Sequence, residues 1–212
     1  MPCKICIASM IIAAPIALLA ATPSPSPQAA PAAASAPAAS NSRSWKVDDV
    51  HSMAMFRVQH MGAGMFWGRF DDVSGTVTTT GAGPDSLSFD ISIDPASISS
   101  GNDKLNGHLK SPDFFSVKEF PSMTFKSTSA KRGADGMWDV TGDLTMHGVT
   151  KPITAKVEVT GMSKGRGGDV AGFEASFVVD RSQFGMNYGV EKGAIGKDVR
   201  VIVGLEVGAE AK

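Results

Sequence analysis

From Trp45 onward, apolar residues recur at every second position, and this period constrains the fold more than any other feature of the chain. Successive side chains of an extended strand point to opposite faces, so alternation gives each strand one dry face and one wet face. Ala54, Phe56 and Val58 alternate with Met55, Arg57 and Gln59, while Leu87, Phe89, Ile91 and Ile93 alternate with Ser86, Ser88, Asp90, Ser92 and Asp94. The pattern returns at Met123 and Phe125, then over 138–146, 153–159, 173–179 and 199–207. One-sided strands are the mark of antiparallel sheet. Turn chemistry rather than helix joins them, at 81–84, 133–136, 147–148 and 161–169. About eight such strands must bury their dry faces by closing on themselves or by pairing as a sandwich.

One stretch, 95–118, breaks the period. Leu105 and Leu109 stand four apart and Phe114 and Phe115 follow, with Ser99, Ser100 and Asn102 as N-cap candidates and Pro112 as a break. The stretch predicts two short helices, whose apolar side covers one open end of a barrel.

The residues ahead of the alternating region are of another kind. A short basic start at Lys4, an apolar run over 5–21 and the small residues Ala20 and Ala21 describe a secretory signal peptide over 1–21. Both cysteines, Cys3 and Cys6, lie in it and none stands at its exit, so the mature chain has no cysteine and no lipoprotein signal. Residues 22–44 are rich in Pro, Ala and Ser, lack apolar periodicity and predict a disordered linker. The folded domain is then expected over 45–208. Export without disulfides points to a periplasmic protein held by its core, and not to an integral membrane protein after processing. The formal charge of −1, which becomes −2 when Lys4 leaves with the leader, is spread without a basic cluster and excludes a nucleic-acid surface.

A barrel of about eight strands is either filled by its side chains or holds one small ligand. Eleven Phe and eleven Met supply much of the inward set, and Met53, Met55, Met61, Met65, Phe66 and Trp67 cluster where a cavity mouth would lie. Methionine fills adaptable apolar sites, yet pattern alone leaves an ordinary packed core equally open. Exposed apolar surface over 61–67 could also support a homodimer.

Five segments carry a resemblance to a known family. They are Trp45-Lys46-Val47-Asp48 with His51-Ser52; Phe56 to His60 with Gly68-Arg69-Phe70; His108 to Phe115 with Phe120-Pro121 and Thr124-Phe125; Gly142 to Pro152; and Gly172-Phe173 with Asp180 to Gly185. In this order across 45–207 they resemble the YceI-like family of lipocalin-like, polyisoprenoid-binding periplasmic proteins. Many relatives carry an Arg-Asp pair where this chain has Leu105-Asn106. The resemblance implies an all-β, antiparallel lipocalin-like barrel of about eight strands with one or two short helices. It also implies an interior that takes an isoprenoid lipid or isoprenoid quinone as ligand, with no other cofactor. Strand parity puts Phe56, Val58, Phe89, Ile91, Phe114, Phe115, Phe125, Leu144, Phe173 and Phe177 on the wall of that interior.

Residue chemistry argues for binding rather than catalysis. His51, His60, His108 and His147 do not pair at metal-ligand spacing, and no metal site is expected. Asp48, His51 and Ser52 suggest a hydrolase, but no nucleophile elbow accompanies them, and adjacent strand residues diverge. No catalytic residue and no enzyme activity are expected. Arg181, near a barrel end, is read either as a head-group contact or as an arginine capping backbone carbonyls. The expected function is therefore transport or storage of an isoprenoid chain. Carriage of another apolar molecule such as a fatty acid, or a ligand-free protein-interaction barrel, are the alternatives.

Overall fold

In the computed structural model, residues 42–80 and 86–209 are described. The signal peptide over 1–21, the linker up to residue 41 and the turn at 81–84 lie outside them. Eleven strands follow the alternation: β1 (Ser42–Val47), β2 (Met53–His60), β3 (Gly64–Phe70), β4 (Val73–Thr80), β5 (Ser86–Ile93), β6 (Ile98–Ser99), β7 (Met123–Arg132), β8 (Trp138–Met146), β9 (Val149–Gly165), β10 (Gly168–Asp180) and β11 (Ile195–Ala209). One α-helix, α1 (Asp103–Leu109), and 3-10 turns at Pro95–Ser97 and Arg181–Phe184 complete the described residues.

Every pairing is antiparallel, and the order β1-β4-β5-β7-β8-β9-β10-β11 returns to β1, which closes an eight-stranded barrel. The long β11 divides its free edge. Its last residues pair with β1, in the register Trp45 to Ala209 and Val47 to Val207, and the remainder pairs with β2. The β2–β3 hairpin thus continues the wall past the corner at Asp48, with β6 along the outer edge of β3. The corner is pinned from inside: the amide of Asp48 donates to the Glu206 carbonyl, and the buried Ser52 hydroxyl accepts from the Glu206 amide and donates to its carbonyl. Between bulges each strand keeps its inward parity, and Trp45, Val73, Val77, Phe89, Val140, Phe173, Leu205 and Val207 form one core. A bulge at Ser127–Ser129 resets the phase of β7 and turns Ala130 inward instead of Ser129.

The helical stretch differs from expectation. Asn102 caps α1 by accepting from the Leu105 amide at 3.0 Å, but no second helix follows. After Pro112 the chain makes tight turns, with the amides of Phe114 and Ser116 on the Ser111 carbonyl and that of Phe115 on Leu109. These turns drop both phenylalanines toward the barrel instead of along a helix face.

Two boundaries also move. The linker expected to reach residue 44 gives way to strand at Ser42, because Ser42–Ser44 pair with Thr78–Thr80 through backbone groups that need no apolar side chain. The loop expected over 161–169 is mostly strand, since β9 and β10 extend outward as a ribbon whose ladder ends at Gly165 and Gly168. The turn at 147–148 is as tight as expected. Met146 pairs with Val149, and His147 and Gly148 both have positive φ, 52° and 73°, which fits a type I′ hairpin.

Candidate functional site

Inward parity leaves the barrel interior incompletely filled. A cavity of about 480 Å³ lies between the β2–β3 hairpin, the 103–115 cap, β10 and the start of β11, within the size range of small-molecule sites. A second space of about 70 Å³ lies deeper, toward β5, β8 and β9. Ile93, Met123, Leu144 and Phe177 line both, so the two are neighbouring chambers with a shared wall.

Each of the ten residues expected on the interior wall meets one of these chambers. Phe56, Val58, Phe114 and Phe115 line the larger, Phe89, Ile91, Phe125 and Phe173 the smaller, and Leu144 and Phe177 both. Aromatic contacts shape the walls. Phe56 lies 5.6 Å from Phe70, which meets the edge of Phe115 at 5.2 Å, and Phe89 meets Phe173 edge-on at 5.6 Å. The cap closes with Leu105 and Leu109 of α1 beside Phe114 and Phe115. Leu105 lines the larger chamber, and Asn106 accepts from the Ser100 amide and hydroxyl.

Polar groups on the larger chamber are few. His60, His108 and Tyr188 are its exposed or partly exposed polar residues. His108 bonds Asp113 at 2.9 Å and stands edge-on to Phe114 and Tyr188. Arg181 also lines it and is buried, 5% exposed. Its guanidinium donates to four backbone carbonyls, those of Gly196, Met186, Tyr188 and Ile195, at 2.8–3.1 Å. Desolvation by burial pushes its pKa down. Of the two roles considered for Arg181, the structure assigns carbonyl capping. Beside it, the carboxyl of Asp180 is held at a pKa of about 2 by its hydrogen bonds from the Ser182 hydroxyl and from Lys197.

The Asp48–His51–Ser52 group gives no nucleophile–base pair. His51 is exposed and bonds Asp48 at 3.0 Å, which raises its pKa and lowers that of Asp48, whereas the Ser52 hydroxyl is turned inward onto Glu206 backbone. Asp48, His51 and Glu206 place ligand atoms within 4.8 Å of one another, the one arrangement among the described residues suited to a metal ion. None of the three lines either apolar chamber.

Several wall residues carried no readable sequence signal. Met186 and Tyr188 come from the irregular 181–194 connection, which has no period, so nothing predicted their approach to the cavity. The Met61–Trp67 cluster proves to be two-sided. Phe66 faces the chamber, while Met61, Met65 and Trp67 stand on the outside.

Comparison with known proteins gives one consistent answer. A family model described as the YceI-like domain matches residues 45–207. Protein YceI of Escherichia coli O17:K52:H18 is 34% identical over 165 residues, covering 76% of this chain and 85% of that protein. Among solved structures, the Campylobacter jejuni YceI protein superposes with a TM-score of 0.65 at 27% identity, covering 73% of this chain and 90% of its own. A polyisoprenoid-binding domain from Saccharophagus degradans superposes with a TM-score of 0.61 at 19% identity, covering 78% and 98%, and shares the fold.

Proposed function

Because the chain belongs to the YceI-like family, we propose that its barrel binds an isoprenoid lipid or isoprenoid quinone without transforming it, for transport or storage in the periplasm. The observation that carries this reading is the pair of apolar chambers sharing Ile93, Met123, Leu144 and Phe177. An unbranched solid core would leave no such space, and a compact ligand would need only one chamber. A chain threaded past the shared wall occupies both. Each buried CH₂ contributes about 0.8 kcal/mol, so ten buried carbons supply about 8 kcal/mol before ordering costs. The related fold from Saccharophagus, described as polyisoprenoid-binding, supports the same ligand class.

The polar lining narrows the head group. A fatty-acid carboxylate in an apolar mouth calls for a free cation, and the arginine of the lining, Arg181, already directs its donors at four carbonyls. His60, His108 and Tyr188 offer hydrogen-bonding groups that suit the carbonyl of a quinone or the hydroxyl of a polyprenol. The phenylalanines and Leu144 on the walls are assigned to the tail.

The test is to express the full chain, purify the processed protein and measure its native mass together with its organic extract. The expected result is one isoprenoid or quinone per protein, on a polypeptide lacking about the first 21 residues, the leader that a signal peptidase would remove. A lipid-free protein that also takes up no added polyprenyl or quinone ligand would refute carriage and favour the protein-interaction alternative.

A further inference from the structure

The β2–β3 hairpin that walls the larger chamber also carries an unusual outer face. Phe56, Val58 and Phe66 point inward, so parity turns Arg57, Met65 and Trp67 outward. Arg57 is paired across the ladder with Trp67 on one side and with Arg200 of β11 on the other, and its guanidinium lies 5.8 Å from the centre of the Trp67 ring. Met61, Met65 and Trp67 are 66%, 51% and 49% exposed. Among the described residues neither Arg57 nor Arg200 forms a salt bridge, whereas Arg69 is neutralised by Asp71 at 2.6 Å.

Two backbone hydrogen bonds shape the tip. Met61 and Gly62 both have positive φ, 52° and 64°, with the Ala63 amide on the His60 carbonyl and the Met61 amide on the carbonyl of Ala194. A type I′ turn favours Asn, Asp or Gly at the position of Met61, and here it projects a thioether side chain into solvent. His60, which enters the turn, lines the chamber.

We propose that this face docks onto an anionic phospholipid bilayer, with Met61, Met65 and Trp67 entering the interface and Arg57 and Arg200 against lipid phosphates. Tryptophan seats well at head-group level, and unpaired arginines are drawn to an anionic leaflet. A second copy of the chain fits less well, because two-fold pairing of this face would bring the two free arginines toward their own copies. Docking goes beyond the carrier reading and gives it a route, since the hairpin that meets the lipid also walls the chamber.

The native tryptophans supply the test. Trp45 and Trp138 are 0% and 4% exposed, so a change in emission on lipid binding reports Trp67. The full processed protein is mixed with vesicles of phosphatidylglycerol and phosphatidylcholine, or of phosphatidylcholine alone, and followed by flotation and fluorescence. The expected result is flotation and a blue shift with the anionic vesicles only, both weakened at about 0.5 M salt. The Arg57→Gln/Arg200→Gln double variant should bind more weakly by about fivefold per arginine, about twenty-five-fold for the pair. Trp67→Phe should float and lose the blue shift. Uptake of a polyprenyl ligand by the same variants in free solution, where both arginines lie on the outer face and neither lines the chamber, is expected to be unchanged and separates this proposal from the carrier reading. Equal binding to neutral and anionic vesicles, or no flotation with either, overturns the proposal. So does a solution dimer that Met61→Ser/Trp67→Ser converts to monomer, which would assign the face to a second copy.

Discussion

Arg181 shows how one side chain can hold a loop over an apolar space. Its guanidinium gathers two carbonyls of the 181–194 connection, those of Met186 and Tyr188, and two of the following strand, those of Ile195 and Gly196, to one point. Removing it leaves buried acceptors without donors, each costing about 1–3 kcal/mol. Arg181→Ala is therefore expected to lower the unfolding free energy by about 3 kcal/mol in a urea titration. Arg181→Lys should recover only part of this, because a point ammonium cannot span carbonyls that a planar fork reaches. An unchanged urea midpoint in the alanine variant would mean that the loop is held by other contacts.

At the level of elements, the β2–β3 hairpin depends on a missing side chain. A Cβ on Gly68 would lie 2.5 Å from Cζ of Phe56, so the ring occupies space that any other residue would fill. Gly68→Ala is expected to push Phe56 into the larger chamber, costing about 1–2 kcal/mol in stability and weakening uptake of a polyprenyl ligand. Fluorescence displacement of an apolar dye by that ligand reads the loss. Equal uptake would show that Phe56 yields outward. The strands themselves were legible because burial on one face imposes a period of two, and this alone put Phe89, Ile91 and Phe173 on the wall. Where burial does not act, the period carries no information. The outer ribbon of β9 and β10 is held by backbone pairing between exposed residues around Gly165 and Gly168, and its sequence reads as loop. Met186 and Tyr188 reach the chamber from a connection without regular structure, and the turns after Pro112 set Phe114 and Phe115 by hydrogen bonds to Ser111 and Leu109 that no periodicity encodes. Parity also separates Phe66 from Met65 and Trp67 once the strand is known. Composition alone had grouped them.

For the whole molecule, the two chambers mean that the native state has unfilled apolar volume that the unfolded chain does not. A ligand that binds only the native state stabilises it by about 2.7 kcal/mol at a concentration one hundred times its Kd. Thermal unfolding during titration with a polyprenol or quinone is accordingly expected to shift upward without saturating at stoichiometry, while a short alcohol that fits a single chamber shifts it less. No shift with any chain length would count against an accessible interior. No helix among the described residues is long and apolar enough to cross a membrane.

The seam between β1 and β11 sets an order of events. Three residue pairs, Trp45 to Ala209, Lys46 to Gly208 and Val47 to Val207, complete the circle, and Ser52 clasps Glu206 across 154 positions. The strand that finishes the wall is the last of the described strands in the chain, so before it is placed the other strands would form an open sheet with its dry face uncovered. Pairing so distant in sequence belongs to the slow end of folding, milliseconds to seconds. Enclosure and synthesis are thereby separated in time: a guest either enters a finished vessel through its mouth or is trapped as the final strand swings home.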